Sequence, residues 1–333
     1  MTPSNSQQVS RIVRAAMLGT GGMLGIGAAT AGVLAAQTRH ARRSIGPRTQ
    51  SAPYADGRYG RARGTSDRLV MMGDSIAAGL GADSARDTVG AVLASLVAEY
   101  DGRQVVLSTV AAVGARSSDL REQVVRALHY RPHVAVIIVG GNDVTHAVRP
   151  QVSVRLLAEA VQLLRDSGVQ VVVGTCPDLG TVQPIRPPLR WVALRLSRTL
   201  AAAQAVAVAQ AGGRAVSLAD VLGSEFSQRP GQLFSADRFH PSTEGYQAVA
   251  QVLAPSVLAA LSRGESGEVL PEALPAGWTR PDFAISPLTQ AAITAAAEPG
   301  TEVEETQAPR SVVNNDRRWG RRRRRVETQH ESD

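Results

Sequence analysis

The chain has 333 residues, room for two average domains or for one generous domain with tails, and 44% apolar with 20% charged residues is enough to bury a core. Its net charge of +7 suggests a nucleic-acid partner, but the excess sits at +8 in residues 1–66, against +1 in 67–262 and −2 in 263–333. A phosphate-tracking surface needs its basic excess on the folded part, so these figures argue against nucleic acid.

Residues 1–14 form a basic N-terminus. From 15 to 36 run 22 residues without a charge, flanked by Arg11 and Arg14 before and by Arg39, Arg42 and Arg43 after. At ~1.5 Å rise per residue that length crosses ~30 Å of hydrocarbon, which predicts a transmembrane or signal-anchor helix. The small residues around Ala29-Thr30-Ala31 also fit a cleaved signal peptide, which would make the protein secreted. A buried soluble helix fits less well, because six glycines are costly in one helix. Counting arginines places the rest of the chain inside the cell, whereas an N-terminal export signal places it outside. The expectation is a single-pass anchor in the cell membrane with the domain on the outer side.

Residues 37–66 are rich in Arg, Gly, Pro and Ser without an apolar period, and read as a linker. Short apolar runs then begin at Arg68–Met72 and recur at Val105–Val110, Val134–Val139, Val169–Val173 and Ala215–Leu218. Helical period fills Val89–Tyr100, Ser118–Tyr130, Val152–Ser167 and Leu189–Gln210, and a last helix covers Thr243–Leu261. Strands that are continuous Val/Ile runs, alternating with helices, predict a five-stranded parallel sheet covered on both faces. Function in such sheets gathers at the carboxyl ends of the strands. Beyond 262, residues 263–333 have no core-forming period and end in the arginines 321–325. They read as a disordered tail, or as an electrostatic contact with anionic lipid or cell-wall polymer.

Three groups stand at the predicted strand ends: Gly73-Asp74-Ser75, Gly140-Gly141-Asn142-Asp143, and Asp237-Arg238-Phe239-His240-Pro241-Ser242. Ester cleavage by a serine needs a nucleophile, a base for its proton and a carboxylate to orient the base. Ser75 in a glycine-flanked turn suits the first role. His240 and Asp237, three apart on one loop, suit the others. The oxyanion needs donors, which the Asn142 amide and the backbone at Gly114 are able to supply. Each piece has a plainer reading: Ser75 as a turn residue, Gly-x-Asn-Asp as a loop, Asp-x-x-His as a polar loop with Ser242 capping the next helix.

Taken together, Gly73-Asp74-Ser75, Gly114 in Val113-Gly114-Ala115-Arg116, Gly140-x-Asn142-Asp143 and Asp237-x-x-His240 resemble the four blocks of the SGNH/GDSL hydrolase family, over about residues 67–262. The resemblance implies a flavodoxin-like three-layer α/β/α fold with strand order 2-1-3-4-5. It implies a Ser75, Asp237, His240 triad, an oxyanion hole from the Ser75 N–H, the Gly114 N–H and the Asn142 amide, and no cofactor. Ile76 replaces the leucine of the usual first block, and the second block keeps little beyond its glycine.

Among other candidates, His146 lies near Asn142 and borders the expected pocket, while His129 and His133 read as structural. Cys176, the only cysteine, excludes an internal disulfide and a Cys-rich metal site. Asp237 and His240 lack a third clustered ligand for zinc, and without a lysine there is no phosphate loop of the GxxxxGK type. Residues 180–188 are expected to wall the substrate site. Trp191 and Leu194 either face an acyl chain or the membrane, or bury against the sheet. The leading expectation is a hydrolase of small-molecule or lipid carboxylic esters. The alternatives are a membrane-tethered, non-catalytic binding module for a cell-envelope partner, and an acyltransferase to carbohydrate using the same residues.

Overall fold

The computed structural model describes residues 33, 36–40, 51–61 and 65–261. The expected membrane segment 15–36 lies outside the described residues apart from 33 and 36, and the whole tail 263–333 lies outside them. All described residues belong to one compact unit.

Six strands form one sheet: β1 (Gly57–Tyr59), β2 (Ser66–Gly73), β3 (Gln104–Thr109), β4 (Val134–Ile138), β5 (Gln170–Gly174) and β6 (Arg214–Val216), in the order β1-β3-β2-β4-β5-β6. The last five are parallel, and their order relative to one another is the expected 2-1-3-4-5. Two expectations need correction. The sheet is mixed and six-stranded, because β1 pairs antiparallel with β3 through Gly57↔Leu107 and Tyr59↔Val105. That strand also lies inside the stretch 37–66 read as a linker. It carries no apolar alternation, since an edge strand of three residues is held by backbone pairing and by local side-chain bonds, such as Arg58 Nη1 donating to Gln104 Oε1 at 2.7 Å.

The parallel strands are continuous apolar runs because helices cover both faces. Side chains alternate across the sheet. On one face Leu69, Met71, Val136 and Ile138 pack under helices α2 (Val89–Asp101), α7 (Leu218–Gln228) and α9 (Thr243–Leu261). On the other, Val70, Met72, Ala135 and Ile137 meet α3 (Leu120–His129), α5 (Pro150–Asp166) and the C-terminal part of α6 (Leu189–Gln210). Helix α9 is apolar nearly all round and almost wholly buried, as its composition demands. Short helices α1 (Ser75–Ala78), α4 (Gly141–Thr145) and α8 (Pro230–Leu233) sit in the loops.

From β2 the chain steps to β3 on one side, then returns to β4 on the other. The crevice at the carboxyl ends of β2 and β4 is therefore the topological switch point of the sheet.

Candidate active site

Ser75 is placed by a glycine that admits no substitute. Gly73 ends β2 at φ +117°, and a Cβ there would lie 1.9 Å from the Ile138 carbonyl oxygen. Its N–H donates to Gln123 Oε1 at 2.6 Å, and Gln123 Nε2 donates back to its carbonyl at 2.9 Å, so the buried amide of α3 locks the strand end. Asp74 then caps α1 by accepting the Ile76 N–H at 3.0 Å. Ser75 is the first residue of that helix, where the backbone N–H has no intrahelical acceptor.

The imidazole comes from the loop between α8 and α9. Asp237 Oδ1 accepts from Ser235 Oγ at 2.8 Å, from the Phe239 N–H at 2.8 Å and from the His240 N–H at 2.9 Å. With one oxygen so occupied, Oδ2 lies 2.5 Å from His240 Nδ1, and His240 Nε2 lies 3.0 Å from Ser75 Oγ. An ionised carboxylate only accepts, so Nδ1 carries the proton and Nε2 is left to accept from the serine hydroxyl. Gly81, at φ +102°, backs the ring: a Cβ there would approach His240 Cβ to 3.0 Å and the Pro241 carbonyl oxygen to 2.8 Å. Burial of Asp237 pushes its carboxyl up, but the hydrogen bonds and charge of His240 and the Phe239 N–H outweigh it and hold the value down at about 2.

Asn142 stands in α4, directly after β4. Its Nδ2 donates to the Ala115 carbonyl at 3.1 Å, which orients the amide and leaves its second N–H over. That bond joins the two expected oxyanion blocks, since Ala115 follows Gly114 in a turn where Gly114 takes φ +84°. The turn is pinned from below: Asp143 accepts the Ser117 N–H at 3.1 Å and the Ser117 hydroxyl at 3.2 Å, and Ser153 Oγ lies 2.8 Å from Ser117 Oγ. Burial raises the Asp143 carboxyl, against the bonds from Ser117 and Ser153. Asp74 is raised further, to about 7, first by burial, opposed by the Ile76 N–H and reinforced by the charge of Asp143.

Ser75, Asp74 and Asn142 line a cleft that continues between α7 and α9 over Leu218, Leu222, Phe226, Phe234 and Val249. Thr181 and Val182, from the stretch expected to wall the site, line it too, whereas Gly114 is not among its lining residues. His146 is exposed, with Nδ1 2.8 Å from the Asn142 carbonyl. His133 pairs with Asp67 at 3.0 Å, and His129 Nδ1 lies 2.8 Å from the Val125 carbonyl. Leu194 packs on Gly180, but Trp191 is 64% exposed, so of the pair read together only Leu194 turns inward. Among the described residues no group of three or more His, Cys, Asp or Glu side chains is arranged to hold a metal. Sequence reasoning missed Gln123, Gly81 and Ser235, which position Ser75, His240 and Asp237 from segments without a motif.

A sequence model of the GDSL-like lipase/acylhydrolase family matches residues 71–248, and the chain belongs to that family. A GDSL-like esterase of Mycobacterium tuberculosis is 40% identical over 233 residues, 66% of this chain and 74% of the relative. The crystal structure of TesA aligns at a TM-score of 0.46 with 23% identity, covering 59% of this chain and 98% of that one. The lipase/acylhydrolase from Enterococcus faecalis aligns at a TM-score of 0.42 with 22% identity, covering 58% and 96%.

Proposed function

We propose that the chain is a serine carboxylic-ester hydrolase in which Ser75 is the nucleophile, His240 the general base and Asp237 its orienting carboxylate. The observation that carries this reading is the unbroken relay of 3.0 Å from Ser75 Oγ to His240 Nε2 and 2.5 Å from Nδ1 to Asp237. In the first step Oγ bonds to the ester carbonyl carbon as its proton passes to Nε2. The carbonyl π electrons move to oxygen, where the Ser75 N–H, the Gly114 N–H and the free N–H of Asn142 receive the charge. Collapse breaks the bond to the alkoxy oxygen, which takes the proton from Nε2 and leaves as the alcohol. Water, deprotonated by the same nitrogen, then cleaves the acyl-Ser75 ester and releases the acid.

The apolar continuation of the cleft suits the acyl group, whose chain gains nothing from polar walls. The 22 uncharged residues 15–36 suit a membrane tether or a removed leader ahead of the domain. Hydrolysis of p-nitrophenyl esters by the full chain, beside its Ser75→Ala variant, tests the mechanism. The variant is expected to lose on the order of 10³-fold or more in kcat and all labelling by a fluorophosphonate. Equal rates in the two proteins would refute it.

A further inference from the structure

Helix α6 divides its faces sharply. Inward, Leu194 packs on Gly180, Arg190 Nη2 donates to the Val182 carbonyl at 3.5 Å, and Arg198 donates to Asp178 at 3.0 and 3.1 Å. Asp178, Thr181 and Val182 line the cleft, so this helix is the outer brace of the cleft wall. Outward, Trp191 (64% exposed), Val192 (40%), Leu196 (43%) and Val206 (45%) form a stripe at helical spacing. The helix is long and apolar enough to cross a membrane, yet its inner face is committed to the domain, so only the stripe is open.

Two further observations say what covers it. Between Asp178 and Asp220 the sequence holds five arginines and no acid, while the rest of 67–262 holds 12 arginines against 16 acids; of the five, Arg190 and Arg198 turn inward and Arg214 is buried. Arg186 and Arg195 of that set are exposed at the same end of the helix as Trp191. An exposed tryptophan with aliphatic neighbours and arginines is the composition of a surface that lies in the headgroup region of an anionic bilayer. Second, residues 36–40 are helical, and Gln37 clamps the start of α6: its Nε2 donates to the Pro187 carbonyl at 2.7 Å, and its Oε1 accepts the Leu189 N–H at 3.1 Å. Residues 36–40, which follow the uncharged stretch in sequence, therefore lie against the start of α6 beside Trp191.

We propose that this face of α6, with Trp191, Val192 and Leu196 inserted and Arg186 and Arg195 on headgroup phosphates, docks the domain on an anionic lipid surface. The cleft wall then lies next to the bilayer. The proposal does not depend on the hydrolase reading.

The test uses the full chain with Trp278→Phe and Trp319→Phe, which leaves Trp191 as its sole tryptophan. Vesicles of phosphatidylcholine and phosphatidylglycerol with brominated acyl chains are expected to quench Trp191 emission. Arg186→Gln and Arg195→Gln should each weaken association about fivefold. Val192→Ser with Leu196→Ser should abolish the quenching while the melting temperature stays unchanged. Vesicle association with Trp191 unquenched would overturn the proposal, leaving the N-terminal stretch or the arginines 321–325 as the contact. So would equal quenching on pure phosphatidylcholine, or lipid-free doubling of mass with burial of Trp191, which assigns the stripe to a second copy.

Discussion

Asp74 and Asp237 flank the same serine, and their surroundings drive them in opposite directions. Asp237 is held at about 2 by donors, whereas Asp74, buried with Asp143 facing it, is pushed to about 7. An acid raised on folding binds more protons folded than unfolded between its ordinary 3.8 and about 7. The Asp74 contribution to stability therefore declines as pH rises through that interval and is level above it. Asp74→Asn keeps an oxygen for the Ile76 N–H and removes the charge. It is expected to flatten that part of the profile, with equal or higher stability above the raised value, which urea unfolding across pH reads directly. At this scale the sequence pointed to Ser75, Asp237 and His240, because a serine after Gly-Asp and a DxxH pair, each ordinary alone, stand together at predicted strand ends. It concealed Gln123 and Gly81, whose roles exist only because α3 and the loop after α1 fold back onto β2 and His240.

At the scale of elements, α7 is the part that shapes the cleft. Leu218, Leu222 and Phe226 recur every four residues along the face lining it, and the Phe226 and Phe234 rings meet edge-on at 5.0 Å. Leu222→Trp fills this space from the middle. It should lower kcat/KM for an octanoyl ester by about tenfold relative to an acetyl ester, an energy in the range of a few methylene contacts. Helix α9 answers to packing instead. Leu253 is fully buried in the main core, and Leu253→Ala is expected to cost about 2–5 kcal/mol in denaturant unfolding. The five parallel strands and the long helices were legible from period alone. Helix α7, strand β1 and the short helices α1, α4 and α8 were not. The apolar run Ala215–Leu218 looked like one strand, but β6 stops at Val216 and Leu218 already begins α7. Strand β1 has no pattern to read, since backbone groups of β3 recruit it.

For the molecule as a whole, Cys176 is a built-in reporter. It is free and fully buried between α6 and α7, and burial raises its thiol well above the ordinary value. A thiol reagent should therefore label it at the rate of opening, rising with denaturant in step with the loss of native circular dichroism. Rapid labelling in the native state would show that the α6–α7 side opens independently of the sheet. The melting temperature should be the same with and without reductant, because one cysteine closes no loop.

The sequence by itself determined the layer architecture and pointed to Ser75, Asp237 and His240 as candidates, since apolar period and the chemistry of Ser, Asp and His are local properties of the chain. The tertiary structure decided what depends on residues brought together from afar. It set the antiparallel edge, the 3.0 Å approach of residues 75 and 240, the apolar cleft between α7 and α9, and the outward turn of Trp191. No window of sequence encodes a distance between segments; packing of the helices on the sheet fixes it.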